Sequence, residues 1–267
     1  MSFSAAWLAL REPYDVGARS RDVLAAVATA FAGQPALSVV DLGCGTGSTV
    51  RATSVHLPSQ QRWTLFDNDL SLLARAGLGD QRAGVMVTTK PLDLSLDLEA
   101  ALDGAVDLVA TSALLDLVSA DWLERFVVES AARRLPVYAA LAYDGRASLE
   151  PVDPLDAAMV AAVNRHQLRD KGFGPALGPK AADTAIARFR ALGYQVVHDK
   201  SDWVFAPHDR EIQREVCSGW AIAARELAAL SVDDIAGWFT RRHALIERGA
   251  RMRVGHVDFF AQPIGTR

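Results

Sequence analysis

An aspartate followed by three alternating glycines is the stretch of this chain best suited to hold a ligand. Asp41 follows the apolar run 37–40, and Gly43, Gly45 and Gly47 come next. Glycine lacks a Cβ and adopts positive φ readily, so a strand can turn sharply into a helix here while a ligand lies against bare backbone. The helix that follows offers free N–H groups at its start. A tight strand-to-helix turn without a ligand is the structural alternative. The Gly-x-Gly-x-Gly spacing differs from the Gly-x-Gly-x-x-Gly of dinucleotide-binding units and argues against a nicotinamide cofactor.

Two further aspartates follow the next two predicted strands. Asp67 closes the second strand and Asp93 stands just after the third. Ligands of doubly wound sheets bind at the carboxyl ends of the strands, where Asp41, Asp67 and Asp93 should lie side by side. A carboxylate offers two acceptor oxygens, which suits Asp67 to the hydroxyls of a ribose. Asp93 could accept a hydrogen bond from an exocyclic amine while Leu94 packs on a purine face. The alternative is that these aspartates only form turns and helix caps.

Alternating strands and helices must position these residues. Apolar and β-branched runs predict strands, and amphipathic stretches between them predict helices. Five strand–helix alternations indicate an α/β fold, with a doubly wound, mostly parallel sheet and helices on both faces. The predicted strands are 37–40, 63–66, 85–88, 106–110, 136–142, 194–197 and 254–261.

The length of 267 residues, half of them hydrophobic, favours one domain that covers 1–267. Three segments depart from the alternating pattern. Residues 1–35 form a leading helical segment, 144–178 an insertion over the site, and 207–250 a helical insertion before the last strand. The last of these is predicted to be either a lid or a self-association surface, which leaves a homodimer open.

Composition restricts the partners of the chain. The net charge is −4 and no basic stripe is visible, so a small-molecule substrate is favoured over a nucleic acid. The sequence has no apolar run that could span a bilayer and no secretory signal pattern, so we expect a cytoplasmic protein without a membrane partner. Cys44 and Cys217 form neither a metal-ligand set nor a disulfide framework, and no metal site is predicted.

Four motifs together resemble those of the class I S-adenosylmethionine-dependent methyltransferases of small-molecule type. They occur within 37–142, in the order and with the spacing typical of the family. The motifs are Val-Val-Asp-Leu-Gly-Cys-Gly-Thr-Gly at 39–47, Leu-Phe-Asp-Asn-Asp-Leu-Ser-Leu-Leu-Ala-Arg-Ala at 65–76, Pro-Leu-Asp-Leu at 91–94 and Asp-Leu-Val-Ala-Thr-Ser-Ala-Leu-Leu-Asp-Leu at 107–117. The resemblance implies a Rossmann-like fold of seven strands with the last one antiparallel, plus helical insertions.

The resemblance also implies S-adenosyl-L-methionine as the cofactor. Gly43 and Gly45 would approach its methionine part, in a loop whose Asp41 and Gly47 are also predicted cofactor-binding residues, and its ribose would bind Asp67. Its adenine would lie between Asn68 and Leu94 with Asp93 on the amine, and Thr111 or Ser112 would offer a backbone carbonyl near the sulfonium.

Arg19 is the predicted partner of the methionine carboxylate, because a guanidinium binds a carboxylate through two hydrogen bonds. A solvated arginine at a helix start is the alternative interpretation.

Methyl transfer is an in-line displacement, which needs positioning, exclusion of water and in some cases a base. The catalytic candidates are His166, Tyr143 and Asp116, and the substrate-binding candidates are Asp144, Asn164 and Gln167. Many small-molecule members of the family carry His or an aromatic residue in the fourth motif, where this chain has Asp116. A non-catalytic S-adenosylmethionine- or S-adenosylhomocysteine-binding protein or scaffold subunit is therefore the second hypothesis, and an NAD-dependent oxidoreductase is the third.

Overall fold

A mixed sheet forms the centre of the computed structural model, which describes residues 3–77 and 82–265. Five neighbouring strands are parallel, and the last strand is antiparallel to its three neighbours. The strands are β1 Leu37–Leu42, β2 Gln61–Asp67, β3 Val85–Pro91, β4 Leu108–Ser112, β5 Val137–Glu150, β6 Tyr194–Lys200, β7 Trp203–Phe205 and β8 Arg251–Pro263. Their spatial order is β3-β2-β1-β4-β5-β8-β6, with β7 paired to β8.

Helices cover both faces of the sheet. The helices are α1 Ala5–Ala18, α2 Arg21–Phe31, α3 Ser48–Thr53, α4 Leu70–Ala76, α5 Leu98–Leu102, α6 Ala120–Ala132, α7 Asp156–Gln167, α8 Ala181–Ala191, α9 Arg210–Glu226 and α10 Val232–Glu247. One face of the sheet packs against α5, α6 and α8, the other against α2, α3 and α4, and a third apolar cluster joins α1, α7, α9 and α10 to β7 and β8. Within the described ranges, no helix has both the length and the apolar character needed to cross a bilayer.

The predicted α/β class, the parallel sheet and the antiparallel last strand are confirmed, and two local details differ. The sheet has an eighth strand, β7, whose three residues are too few to show an alternating pattern. Strand β5 also continues to Glu150, so residues 144–150 of the predicted insertion lie in the sheet, paired with the long β8.

The predicted leading helical segment, 1–35, contains two helices, α1 and α2. Helix α1 begins after Ser4, which caps it by accepting a hydrogen bond from Trp7 N–H, and Pro13 lies inside it. Proline usually interrupts a helix, so the sequence gives no clear sign of where α1 begins and ends.

Asp258 fixes the start of α2 to the centre of the sheet. It is fully buried on β8. Its Oδ1 accepts a hydrogen bond of 2.7 Å from Leu141 N–H, and its Oδ2 accepts one of 3.0 Å from Ser20 N–H. Leu141 has a φ of +56°, where β5 shifts register against β8. One carboxylate therefore joins a strained strand residue to a helix start.

We expect Asp258→Ala to lower the free energy of unfolding by at least about 2 kcal/mol, because two buried N–H groups lose their partner at roughly 1–3 kcal/mol each. Urea unfolding measures this change. Asp199→Ala is the matched control, since Asp199 pairs with Asp258 in register across β6 and β8 but is exposed and binds the Ser20 hydroxyl. Equal stability losses in the two variants would contradict the anchoring role of Asp258.

Candidate functional site

A cavity of about 670 Å³ lies at the carboxyl ends of β1 to β4. Its walls come from the segments that follow these four strands, from helix α1 and from residues 171–173. The strand order reverses between β1 and β4, which is where doubly wound sheets bind their ligands. The volume suits a small molecule or nucleoside cofactor.

The glycine loop after β1 has a left-handed backbone conformation that favours glycine at each of its three positions. Gly43, Gly45 and Gly47 have φ values of +68°, +54° and +80°. A Cβ on Gly43 would lie 3.3 Å from Leu114 Cδ1, and one on Gly45 would lie 3.2 Å from Leu8 Cδ1. Gly43 and Gly45 line the cavity, whereas Gly47 caps the start of α3. The loop therefore brings bare backbone to the cavity, as the sequence indicates.

Asp67 holds this loop at the end of β2. Its Oδ2 accepts a hydrogen bond of 2.8 Å from Gly45 N–H, and its Oδ1 accepts one of 3.0 Å from Asp69 N–H. Asp67 and the exposed Asn68 both line the cavity. Each carboxylate oxygen keeps a second lone pair, so Asp67 can support the loop and still accept hydrogen bonds from a ligand.

Asp93 and Leu94 complete the wall beyond β3. Asp93 Oδ1 accepts hydrogen bonds from Ser95 N–H at 2.9 Å and from the Ser95 hydroxyl at 2.6 Å. Leu94 is buried, and its carbonyl accepts a hydrogen bond of 2.6 Å from Trp122 Nε1. Both residues line the cavity. The structure thus brings together Gly43, Gly45, Asp67, Asn68, Asp93 and Leu94, all of them predicted cofactor residues.

Asp41 and Thr111 lie behind this wall. Thr111 is buried and donates a hydrogen bond of 2.9 Å from its hydroxyl to the Leu42 carbonyl, which joins β4 to β1. Asp41 is fully buried, and neither of its carboxylate oxygens has a hydrogen-bond partner of good geometry among the described residues. Burial raises the pKa of Asp41 to about 7, against the opposing effects of the Arg19 charge and the Thr49 hydroxyl.

Arg19 is buried beside the cavity rather than along its lining. Its Nη1 donates to the Tyr138 hydroxyl at 3.1 Å, and its Nη2 donates to the Ser112 hydroxyl at 3.3 Å. Ser112 and Ala113 line the cavity. Arg19 therefore reaches the cavity through the Ser112 side chain.

The cavity contains a different arginine, Arg11 of α1, that sequence reasoning missed. Its Nε donates to Asp15 Oδ2 at 2.8 Å, and its guanidinium lies 5.4 Å from the centre of the Trp203 ring. Asp15 also lines the cavity and accepts a hydrogen bond of 2.9 Å from Trp203 Nε1 through its other oxygen. The only signal in the sequence was the i, i+4 spacing of Arg11 and Asp15, in a segment where Pro13 obscured the helix.

Asp116, Tyr143, Asn164 and Gln167 form one hydrogen-bonded cluster next to the cavity. Tyr143 donates from its hydroxyl to Asn164 Oδ1 at 2.7 Å, and Asn164 Nδ2 donates to the Gly145 carbonyl at 3.0 Å. Asp116 accepts hydrogen bonds from Tyr143 N–H at 3.5 Å and from Gln167 Nε2 at 3.3 Å. None of the four lines the cavity in the described part of the chain.

Burial sets the protonation of this cluster. It raises the pKa of Asp116 to about 6, although nearby N–H groups and the charges of Arg11 and Lys171 act in the opposite direction. Burial also raises the pKa of the Tyr143 hydroxyl, with help from the charges of Asp144 and Asp116, so Tyr143 stays protonated and donates. Asp144 itself binds Arg146, with 2.6 Å between Oδ2 and Nε.

His166 is linked to the cavity by its contact with Lys171. Its Nε2 lies 2.9 Å from Glu226 Oε2, and its Nδ1 lies 3.1 Å from Lys171 Nζ. Lys171 lines the cavity together with Gly172 and Phe173. These three residues lie within the predicted insertion 144–178, but Lys171 was not among the predicted site residues.

Solved structures identify the architecture around this cavity. A candidate type II methyltransferase from Anaeromyxobacter dehalogenans is similar with a TM-score of 0.53 and 14% identity, over 93% of this chain and 98% of that one. A cyclopropane-fatty-acyl-phospholipid synthase-like protein from Lactobacillus casei gives a TM-score of 0.51 and 16% identity, over 92% and 98%. The sequence matches no protein-family model and no curated protein.

This chain has the methyltransferase fold. The fold places the cavity and its glycine loop, and chemistry depends on the side chains that this sequence puts there. In this methyltransferase fold, the wall formed by the strand ends carries carboxylates and bare backbone, whereas α1 and residues 171–173 add two cations, Arg11 and Lys171.

We expect the buried charge of Asp41 to make stability depend on pH. The pKa of Asp41 rises from an ordinary value of 3.8 to about 7 in the folded chain, so the folded state binds more protons than the unfolded state in this window. The contribution of Asp41 to the free energy of unfolding should therefore fall as the pH rises from about 4 to about 7. Asp41→Asn lacks this titration.

Urea unfolding of both proteins across this window tests the prediction. The stability of Asp41→Asn relative to wild type should increase with pH, by at most about 4 kcal/mol at 1.36 kcal/mol per unit. A stability difference that stays constant across the window would show that Asp41 does not titrate there.

Proposed function

We propose that this protein is an S-adenosylmethionine-dependent methyltransferase that acts on a small molecule by in-line methyl transfer. One observation carries the proposal. The loops after β1, β2 and β3 bring Gly43, Gly45, Asp67 and Asp93, which are far apart in the sequence, to the wall of one cavity. Carboxylates beside bare backbone suit an adenosine with a short charged tail, and the glycine spacing does not fit a dinucleotide.

The residues present fit such a cofactor. Asp67 would bind the ribose hydroxyls, and Asp93 has one oxygen, Oδ2, without a partner in the described chain, which could accept from the adenine amine. Gly43 and Gly45 would lie against the methionine part, whose carboxylate would pair with Arg11. Bound S-adenosylmethionine would supply the methyl group and leave as S-adenosylhomocysteine.

Most of the remaining predicted cofactor residues would act from behind the cavity wall. Asp41 would be a buried hydrogen-bond acceptor near the methionine part, with Gly47 and Thr111 fixing the loop and β4 around it. Asn68 and Leu94 would flank the adenine. Arg19 would orient Ser112, whose hydroxyl it binds at 3.3 Å.

The methyl acceptor would lie near the Asp116 cluster and Lys171. Asp116, Tyr143, Asn164 and Gln167 would position it, Asp144 would support this side through Arg146, and His166 would take part in proton transfer. The cavity volume of about 670 Å³ favours a small molecule. A cytoplasmic location and a homodimer stay predictions.

A non-catalytic binding protein is the second candidate, and the identity of Asp116 favours it. Calorimetry with S-adenosylmethionine and with NAD separates the cofactor classes, and a metabolite screen scored by release of S-adenosylhomocysteine separates an enzyme from a binder. Absence of micromolar binding of S-adenosylmethionine would contradict the proposal.

We expect Asp67→Ala to weaken S-adenosylmethionine binding by roughly 1.5–3 kcal/mol, or about 10- to 150-fold, the range for hydrogen bonds to a charged group. Isothermal titration calorimetry measures the affinity. Asp22→Ala is the control, because Asp22 is an exposed aspartate on α2 away from the cavity. Unchanged affinity in Asp67→Ala would remove Asp67 from the site.

We expect Arg11→Gln to remove the preference of the site for a ligand with a carboxylate. S-adenosylhomocysteine should lose roughly 1.5–3 kcal/mol of binding free energy, while 5′-methylthioadenosine, which lacks the carboxylate, should bind as before. The exposed Arg21→Gln serves as control. If the two ligands weaken equally, Arg11 supports the fold of α1 and does not bind the carboxylate.

A further inference from the structure

Lys171, His166 and Glu226 form a chain of titratable side chains that leads from the cavity to the surface. Lys171 lines the cavity and is 7% exposed, and its Nζ lies 3.1 Å from His166 Nδ1. His166 Nε2 lies 2.9 Å from Glu226 Oε2, and the Glu226 side chain is 51% exposed. A proton on Lys171 therefore has a continuous path to solvent.

One placement of the hydrogen atoms satisfies both hydrogen bonds of the His166 ring. A charged lysine can only donate, so His166 Nδ1 must accept from Lys171. The hydrogen of a neutral imidazole then lies on Nε2 and points to the Glu226 carboxylate, which can only accept when ionised. Each group in the chain thus has a donor facing an acceptor.

The loop that carries Lys171 is held in place by its own hydrogen bonds. Asp170 Oδ1 accepts from Gly172 N–H at 2.7 Å and from Gly174 N–H at 3.1 Å. Phe173 packs edge-on against Trp122, with 5.4 Å between ring centres. Lys171 is therefore positioned from both sides, as a group that exchanges protons with a bound molecule must be.

Burial and the charges around Lys171 have opposing effects on its pKa. Burial and the neighbouring Arg169 lower its pKa, while Glu226 and Asp116 raise it, with a net lowering. A larger fraction of Lys171 is therefore neutral near pH 7 than for an ordinary lysine, and only the neutral amine can accept a proton.

We propose that Lys171 accepts the proton of the methyl acceptor, and that His166 and Glu226 pass this proton to solvent. The proposal rests on the proposed methyltransferase function and names an acceptor class for it, a phenol-like hydroxyl. A phenol has an ordinary pKa of about 10, close to that of a lysine, whereas an aliphatic alcohol is far too weak an acid for an amine to deprotonate. Phe173, Leu114 and Leu117 line the same cavity and offer apolar contacts for a ring.

The proton transfers balance. The O–H bond of the acceptor breaks, its proton bonds to the lone pair of Lys171 Nζ, and its electron pair stays on oxygen to bond to the methyl carbon. The Lys171 ammonium then gives a proton to His166 Nδ1. His166 releases the proton on Nε2 to Glu226, from which it passes to water, and Lys171 is neutral again.

Nuclear magnetic resonance of the lysine side chains tests the proposed proton path, and it does not require that the methyl acceptor be known. The sequence has four lysines, Lys90, Lys171, Lys180 and Lys200, so with isotope-labelled lysine the Lys171 signal can be assigned from Lys171→Arg. We expect Lys171 to titrate below the ordinary lysine range. Its midpoint should be lower in the complex with S-adenosylmethionine than with S-adenosylhomocysteine, because the sulfonium adds a positive charge to the same cavity.

Substitutions at the surface end test the coupling. Glu226→Gln should lower the Lys171 midpoint further, because the carboxylate charge raises it. Glu215→Gln, an exposed change on the same helix α9, should leave the midpoint unchanged. A Lys171 midpoint in the ordinary lysine range, or equal effects of the two substitutions, would overturn the inference, whereas failure of both adenosine ligands to bind in calorimetry would instead overturn the proposed function.

4-Nitrophenol tests whether the site accepts a phenolic methyl acceptor, because its absorption changes when it ionises. With the S-adenosylhomocysteine complex, at a pH where the free probe is mostly un-ionised, we expect the phenolate band to appear with wild-type protein and to be lost with Lys171→Met. Nitrobenzene, which has the ring without the hydroxyl, measures apolar binding alone. A bound probe that stays un-ionised in the wild type would count against a phenolic acceptor.

Discussion

The hydrogen bond from Gly45 N–H to Asp67 Oδ2 is the contact on which the cavity depends. It joins the loop after β1 to the end of β2 at 2.8 Å and holds glycines with positive φ in place. A substituted side chain at Gly43 or Gly45 would press on Leu114 or Leu8, which also line the cavity. The same carboxylate that shapes the loop is thus the group proposed to bind the ribose, so shape and recognition are coupled through one residue.

Burial separates the charges of the molecule into two layers. Behind the cavity, Asp41, Arg19 and Asp258 are withdrawn from water, and the charge of Arg19 acts on both carboxyl groups, so these residues stabilise or strain the fold. Along the cavity, Arg11 and Lys171 remain in contact with the space where a ligand would lie. A charge along the cavity can interact with a ligand when it binds, whereas a charge buried behind the cavity cannot. Ligand contacts are therefore assigned to Arg11 rather than to Arg19.

The half of the site that follows the strands could be predicted from the sequence, and the half that closes over it could not. Asp67, Asp93 and the glycines are placed by the ends of parallel strands, and a strand end is a local feature. Arg11 and Lys171 reach the cavity because α1 packs on β7 and because the 170–174 loop folds onto Asp170. Those placements depend on packing between distant segments, on a helix that contains Pro13 and on a strand of three residues.

Arg11 and Lys171, the two basic side chains along the cavity, have different neighbouring groups, and this difference separates their proposed roles. Arg11 forms an ion pair with Asp15 and lies over Trp203, so it is a fixed positive charge held in one orientation, suited to bind an anion. Lys171, within the described residues, has an imidazole as its nearest partner and no carboxylate within ion-pair distance. A lysine in such surroundings can lose its proton, and an arginine cannot, so proton transfer belongs to the side of the cavity that carries Lys171.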